Sequence, residues 1–464
     1  MAQTTNRREG ITRREFVASA VAASALAGAA ADVSLGASAT RPNVLYIMAD
    51  DLGWGDLSCY GRPDYRTPNL DRLASEGVRF TQGYSAAPVC TPTRCAFVTG
   101  RYPARTPVGL EEPLSWHRSL VEQQRDPGLA PEHPTVASLL KAAGYRTALV
   151  GKWHLGYLPT YSPIKSGFEE FFGIMSGGAD YFTHKDARGD ADLFEAEVPV
   201  ERVGYITDLL TKRAVEFLRR RHDAPFFLSL NYTAPHWPWE GPRDEAFARA
   251  LPSGNAGFVS GGSLKVYAEM MRSLDAGVGR VLSALEAAGH ARSTLVVFTS
   301  DNGGERFSYN WPFSGQKFDL HEGGIRVPAL VRWPGRIPRG RTTEQVAVTM
   351  DWTATILAAA RARPHPGYPL DGVDLLPFLR GARPAFERTL FWRNGEQGAV
   401  RSGRWKYLKE VGPGGEQAEH LFDLQTDEHE QADWRNSRGE VFDRLKAEYE
   451  KWDSQMLKQP TAPV

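Results

Sequence analysis

Four short apolar runs constrain this chain more than any other feature. NVLYIMA stops at Asp50-Asp51 and RTALV at Gly151-Lys152-Trp153-His154. PFFLSLNYTA stops at Pro235-His236, and STLVVFTS at Asp301-Asn302-Gly303-Gly304. Each is of strand length, rich in β-branched or aromatic residues, and close to continuously apolar. A half-solvated strand would alternate, so these runs fit strands covered on both faces of a mostly parallel sheet. Between them, TPNLDRLASEGVRF, HPTVASLLKAAGYR and KVYAEMMRSLDAGVGRVLSALEAAG repeat apolar residues at three-to-four spacing and read as helices. The alternation predicts an α/β fold: a doubly wound, mostly parallel sheet flanked by helices.

Both ends depart from that pattern. TLFWRNGEQGAVRSGRWKYLKE reads as short strands broken by Asn-Gly and Ser-Gly turns, followed by an amphipathic helix, VFDRLKAEYEKW. This predicts a small C-terminal α+β subdomain over 383–464, after a main α/β domain over 40–382. At the start, Thr12-Arg13-Arg14-Glu15-Phe16 precedes the alanine-rich VASAVAASALAGAAA. Over 1–39 this reads as a signal peptide of the twin-arginine type, cut after Ala31 or Ala39. The expected partner is the twin-arginine export machinery, and the expected location is periplasmic or secreted. No later stretch approaches the roughly 20 apolar residues of a membrane span. Basic and acidic residues number 55 each, so nothing points to nucleic acid or an anionic membrane. Three cysteines cannot build a disulfide framework.

In open α/β sheets ligands bind beyond the carboxyl ends of the strands, where these four runs carry their polar residues. Asp50, Asp51, Asp301 and Asn302 are hard oxygen donors, suited to Ca2+ or Mg2+ rather than zinc. Singly, Asp-Asp is also a helix cap and Asp-Asn-Gly an ordinary turn. Lys152, His154, His236, Arg94 and Lys317 add cations and proton carriers. Facing a metal, such a set would cradle an anion and neutralise charge developing in a transition state. The pattern suggests hydrolysis of a phosphate or sulfate ester.

The nucleophile is the open item. Cys90 lies two residues before Pro92, near the start of an expected helix, where a thiol pKa falls. A thiolate nucleophile is one reading and a buried structural cysteine another. A soft thiolate sits poorly beside four oxygen donors around a hard cation.

Cys90-Thr91-Pro92-Thr93-Arg94, with TGR after it, resembles the C-x-P-x-R signature of the formylglycine-dependent sulfatases, members of the alkaline phosphatase superfamily. Further motifs match in order: PNVLYIMADDLGWGDLSCYG, GYRTALVGKWHLG, APHWPW, SDNGG, GQKFDLHEGGIRVP, and then DGVDLLPFL and LFDLQTDEHEQADW. The resemblance covers nearly everything after Thr40. It implies that a formylglycine-generating enzyme oxidises Cys90 to an aldehyde whose hydrate supplies the attacking oxygen. It puts the metal ligands at Asp50, Asp51, Asp301, Asn302 and the converted Cys90. Arg94 would steady the hydrate, while Lys152, Lys317 and His236 would bind sulfate oxygens. His154 would then take a proton from the second hydroxyl, expelling sulfate and restoring the aldehyde. Thr183 and His184, in GGADYFTHKD, are expected to touch substrate. The expected substrate is a sulfated carbohydrate or an aryl sulfate. A phosphate or phosphonate monoester hydrolase, and an inactive binder of sulfated glycans, are the rival readings.

Overall fold

The computed structural model describes residue 1 and residues 41–114, 126–250, 258–412 and 414–459. The expected signal peptide lies outside the described residues. The four apolar runs form β1 (Asn43–Ala49), β2 (Arg146–Gly151), β3 (Phe226–Asn231) and β4 (Thr294–Ser300). They are parallel, in the order β4-β1-β3-β2, with Glu170–Gly173 next in the same direction. Short, partly antiparallel strands extend both edges to ten among the described residues.

Every residue of β1, β3 and β4 is buried, which is why their sequences do not alternate. The two faces still divide by parity. Leu45, Ile47 and Ala49 join one core, and Val44, Tyr46 and Met48 the other. Six longer helices cover these faces: α1 (Pro68–Ser75), α2 (Cys90–Thr99), α3 (Val136–Ala142), α4 (Ile206–Arg219), α5 (Leu264–Ala287) and α6 (Thr349–Ala360). Helices α1, α4 and α5 pack on the first face, and α2, α3 and α6 on the second. This is the expected doubly wound architecture.

The helical pattern in TPNLDRLASEGVRF ends at its glycine: α1 stops at Ser75, just before Gly77, and Val78–Phe80 beyond it is a strand beside Ala329–Arg332. Gly77 permits the switch, because a Cβ there would stand 2.2 Å from the Val331 carbonyl oxygen. The backbones approach too closely for any side chain.

The tail forms a four-stranded antiparallel sheet, Thr389–Asn394, Gln397–Ser402, Trp405–Val411 and Gln417–Asp423, in that order. Gly395 and Gly403 occupy its first two turns at φ of 55° and 59°, as tight hairpins require. Helix α7 (Gly439–Asp453) buries Leu445, Tyr449 and Trp452 in a third core with Trp392 and Tyr407. Among the described residues, no helix is long and apolar enough to cross a membrane.

Candidate active site

Strand register brings the site together. Ala49 lies opposite Ser300, Met48 opposite Asn231, and Gly151 opposite Asn231, so the carboxyl ends of β1, β4, β3 and β2 are level. The residues that follow each strand therefore meet at one edge. Gly151 ends β2 at φ 119°, and a Cβ there would lie 1.8 Å from the Asn231 carbonyl oxygen. Asp51 and His154 adopt left-handed backbone at φ 62° and 57°. For a residue with a Cβ this costs roughly 1–2 kcal/mol, strain of the kind that gathers at functional sites.

The meeting point is a buried ring of charge. Asp50, Asp51, Asp301 and Asn302 are each at most 3% exposed. Lys152 Nζ is 2.7 Å from Asp50 Oδ2, and Lys317 Nζ is 2.7 Å from Asp51 Oδ2. Arg94 donates to Asp301 Oδ2 from Nε (3.0 Å) and Nη2 (2.8 Å), and from Nη1 to the Lys152 carbonyl (3.1 Å). Asn302 Nδ2 donates to Asp51 Oδ1 at 2.7 Å, and the Asp51 amide to Asp301 Oδ1 at 3.1 Å. Cys90 is the first residue of α2, and Arg94 lies one turn on, on the same helix face. Cys95 instead packs behind, with its sulfur 2.9 Å from Thr106 Oγ1.

Asn302 Oδ1 is buried without a hydrogen-bond partner, and Asp50 Oδ1 makes no hydrogen bond, its ion-pair partner Arg94 Nη2 standing 3.5 Å away. Donor atoms of Asp50, Asp51 and His236 lie within 4.8 Å of one another. The donor set is thus mostly hard oxygen with acceptor capacity to spare, which fits a cation such as Ca2+ or Mg2+. Asp301 falls outside that closest group, and Arg94 and the Asp51 amide hold its two oxygens. His236 falls inside it, its Nε2 being 3.6 Å from Asp51 Oδ2.

Burial sets the protonation states. It pushes the Asp50 carboxyl well up, aided by nearby Asp301. Burial also opposes ionisation of Asp51, but Lys317, His236 and Lys152 hold that carboxyl far below its usual range. Burial and then Lys152 drive the His154 imidazole well below its ordinary pKa, so it is neutral at pH 7. Its Nε2 donates to the Leu114 carbonyl (2.7 Å), and Nδ1 is buried with no partner. Burial raises the Cys90 thiol despite the opposing pull of Lys152 and Lys317. A neutral thiol is a poor nucleophile, so this geometry does not favour the plain thiolate reading.

Cys90, His154, His236 and Lys317 line a cavity of about 610 Å3. Tyr157, Trp237 and Phe318 give it aromatic walls, and Glu305, Asp186 and Arg188 add charge. Arg94, Lys152 and the oxygen-donor ring are not part of this lining. Neither are Thr183 and His184, expected to touch substrate. The Thr183 amide donates to Asp180 Oδ1 (2.6 Å) and the His184 ring bonds the Gly204 carbonyl (2.9 Å), which ties that turn to the fold. Of the other aromatic and basic residues near the motifs, Trp239 is buried against Phe307, Arg306 stacks on both rings, and Trp311 lies exposed beside His429. Sequence reasoning passed over Glu305, Tyr157, Asp186 and Arg188. Glu305 was within reach, being one residue past the Asp-Asn-Gly-Gly strand end.

A buried oxygen-donor ring behind a cavity carrying cations and histidines, at the carboxyl edge of a parallel sheet, defines a hydrolase of oxyanion esters. The sulfatase family model matches residues 42–362. The chain is 35% identical over 388 residues to N-acetylgalactosamine-6-sulfatase of Canis lupus familiaris, covering 79% of this chain and 71% of that one. It is 34% identical over 401 residues to arylsulfatase A of Homo sapiens, covering 79% and 75%. Among solved structures it resembles Ps i-CgsB in complex with k-i-k-neocarrahexaose, with a TM-score of 0.78, 31% identity, and coverage of 91% and 94%. The chain belongs to the sulfatase family and is a sulfuric ester hydrolase.

Proposed function

We propose that this protein removes sulfate from a sulfated carbohydrate, using an aldehyde made from Cys90 and a bound Ca2+ or Mg2+ ion. The observation that carries this reading is a ring of three buried carboxylates in which Asn302 Oδ1 has no hydrogen-bond partner and Asp50 Oδ1 has only Arg94 at 3.5 Å. Buried acceptors left without hydrogen bonds are costly, and a hard cation is the partner that suits them. Asp50, Asp51, Asp301 and Asn302 would hold it, beside the oxygen at position 90. Such an ion supplies positive charge against the oxygens of the ester. A formylglycine-generating enzyme is the partner this reading requires, because only oxidation turns a protonated buried thiol into an oxygen donor suited to the ring.

The chain's own residues divide the remaining work. Arg94 orients the first turn of α2, and with it residue 90, through its bonds to Asp301 and the Lys152 carbonyl. Lys317 and His236 face the cavity and take the sulfate oxygens. Lys152 stands behind them, holding Asp50. With Nε2 committed to Leu114, His154 accepts a proton at Nδ1. Trp237 and Tyr157 offer flat surfaces for a sugar ring. The names of the relatives, N-acetylgalactosamine-6-sulfatase and a structure holding k-i-k-neocarrahexaose, support a carbohydrate over a simple aryl ester. The twin-arginine pattern at Arg13-Arg14 supports export of the folded enzyme to the periplasm.

The test pairs a mass spectrum of the peptide carrying residue 90 with a sulfate-release screen. Protein co-expressed with a formylglycine-generating enzyme and loaded with Ca2+ is offered sulfated oligosaccharides and aryl sulfates. We expect the aldehyde at position 90 and release from at least one oligosaccharide. Converted protein that releases sulfate from none of them overturns the reading.

A further inference from the structure

The cavity wall holds a carboxylate that the proposed chemistry does not use. Glu305 Oε2 accepts a hydrogen bond from Trp237 Nε1 at 3.1 Å and lies 3.6 Å from Lys317 Nζ. Its side chain is 26% exposed, facing the cavity rather than the buried ring. The other carboxylate in that wall, Asp186, is held by Arg188 at 2.7 Å. Lys317 therefore lies between two acids, Asp51 in the ring and Glu305 on the substrate side. A site built only to attract anions has no use for the second one. It weakens the lysine's field where the ester oxygens must sit.

We propose that Glu305 selects substrate by charge, admitting sulfate monoesters and rejecting the dianion of a phosphate monoester. The inference rests on the sulfatase reading. A sulfate monoester carries one negative charge, whereas a phosphate monoester carries nearly two above its second pKa of about 6. A fixed carboxylate beside Lys317 repels both, but repels the dianion about twice as strongly. The geometry of the two esters is alike, so shape cannot separate them and charge must. Rejection of the wrong partner by a like charge is an ordinary route to specificity. The hydrogen bond from Trp237 fixes where that charge sits, and the same bond orients the aromatic wall.

The test uses Glu305→Gln, which keeps the shape and the oxygen facing Trp237 and removes only the charge. Glu305→Asp keeps the charge. Wild type and both variants are compared in the full-length, converted, Ca2+-loaded enzyme at about pH 8, with matched aryl sulfate and aryl phosphate. Competitive inhibition by benzenesulfonate, a monoanion, and phenylphosphonate, mostly a dianion at that pH, is measured alongside. In Glu305→Gln we expect the phosphate-to-sulfate ratio of kcat/KM to rise about tenfold or more. Phenylphosphonate inhibition should tighten relative to benzenesulfonate, and Glu305→Asp should stay near the wild-type ratio. Equal losses on both esters would mark a purely structural role and overturn the proposal, as would an unchanged ratio. Calorimetric titration with benzenesulfonate and phenylphosphonate reads the same charge preference without turnover. An enzyme inactive on every sulfate ester would sink the sulfatase reading, while those titrations would still decide the role of Glu305.

Discussion

His154 has one ring nitrogen committed to the Leu114 carbonyl and the other buried without a partner. A neutral imidazole fixed in one tautomer is prepared to receive a proton. We expect His154→Ala to lower kcat by about 10²- to 10⁴-fold with a small change in KM, read from steady-state sulfate release. Cys90→Ala should leave stability nearly intact and abolish turnover even after co-expression with the modifying enzyme. At this scale much of the site is legible in the sequence. Asp50, Asp51, Asp301, Asn302, Lys152, His154 and His236 each follow an apolar run, and strand ends gather polar function. Glu305 also stands just past a strand end, but what it touches is not legible in that way, and neither is the part played by Leu114. Their roles depend on which loop folds over which, and no local pattern encodes a contact between Glu305 and Trp237, 68 residues apart.

Elements transmit strain to these residues. Strand β2 can deliver Lys152 only because Gly151 passes against Asn231 in a left-handed backbone conformation. Gly151→Ala should cost about 3 kcal/mol or more and displace Lys152 from Asp50. Its denaturant midpoint should fall well below that of wild type, and residual activity should fall with it. The four central strands were predictable because burial on both faces removes alternation and leaves an unbroken apolar run. Val78–Phe80 was not, because three residues past the helix-ending Gly77 carry no period.

Across the whole molecule, a buried ionic cluster joins the main sheet to the tail. Lys406 Nζ, from the C-terminal sheet, lies 3.1 Å from Glu322 and 2.7 Å from Glu430, and all three side chains are buried. Arg326 pairs with Glu322 at 3.1 Å, and Tyr84 hydrogen-bonds it at 2.5 Å. Removing one member leaves uncompensated charge, so Lys406→Met should destabilise by about 3–5 kcal/mol. Burial works against the Glu322 carboxylate, but Lys406, Arg326 and Arg401 bring its pKa down to about 2, from 4.5. A depressed carboxyl contributes stability that is whole above about pH 4.5 and drains away as pH falls towards 2. Melting temperatures over that window should drop steeply in wild type and more gently in Glu322→Gln. Chelation should act on the same scale: EDTA should lower the melting temperature, and Ca2+ should restore it. None of this cluster was legible, since Lys406 and Glu322 are 84 residues apart and Glu430 is 108 from Glu322.

All ten residues of α2, from Cys90 to Thr99, are buried. On the reading proposed above, a visiting enzyme would have to reach Cys90, Pro92 and Arg94 before that helix docks, for afterwards only the Cys90 end meets the cavity. Folding would then set a deadline. Whatever residue 90 was when the core closed, the finished molecule would keep, and two chains of identical sequence could mature into one working copy and one sealed blank.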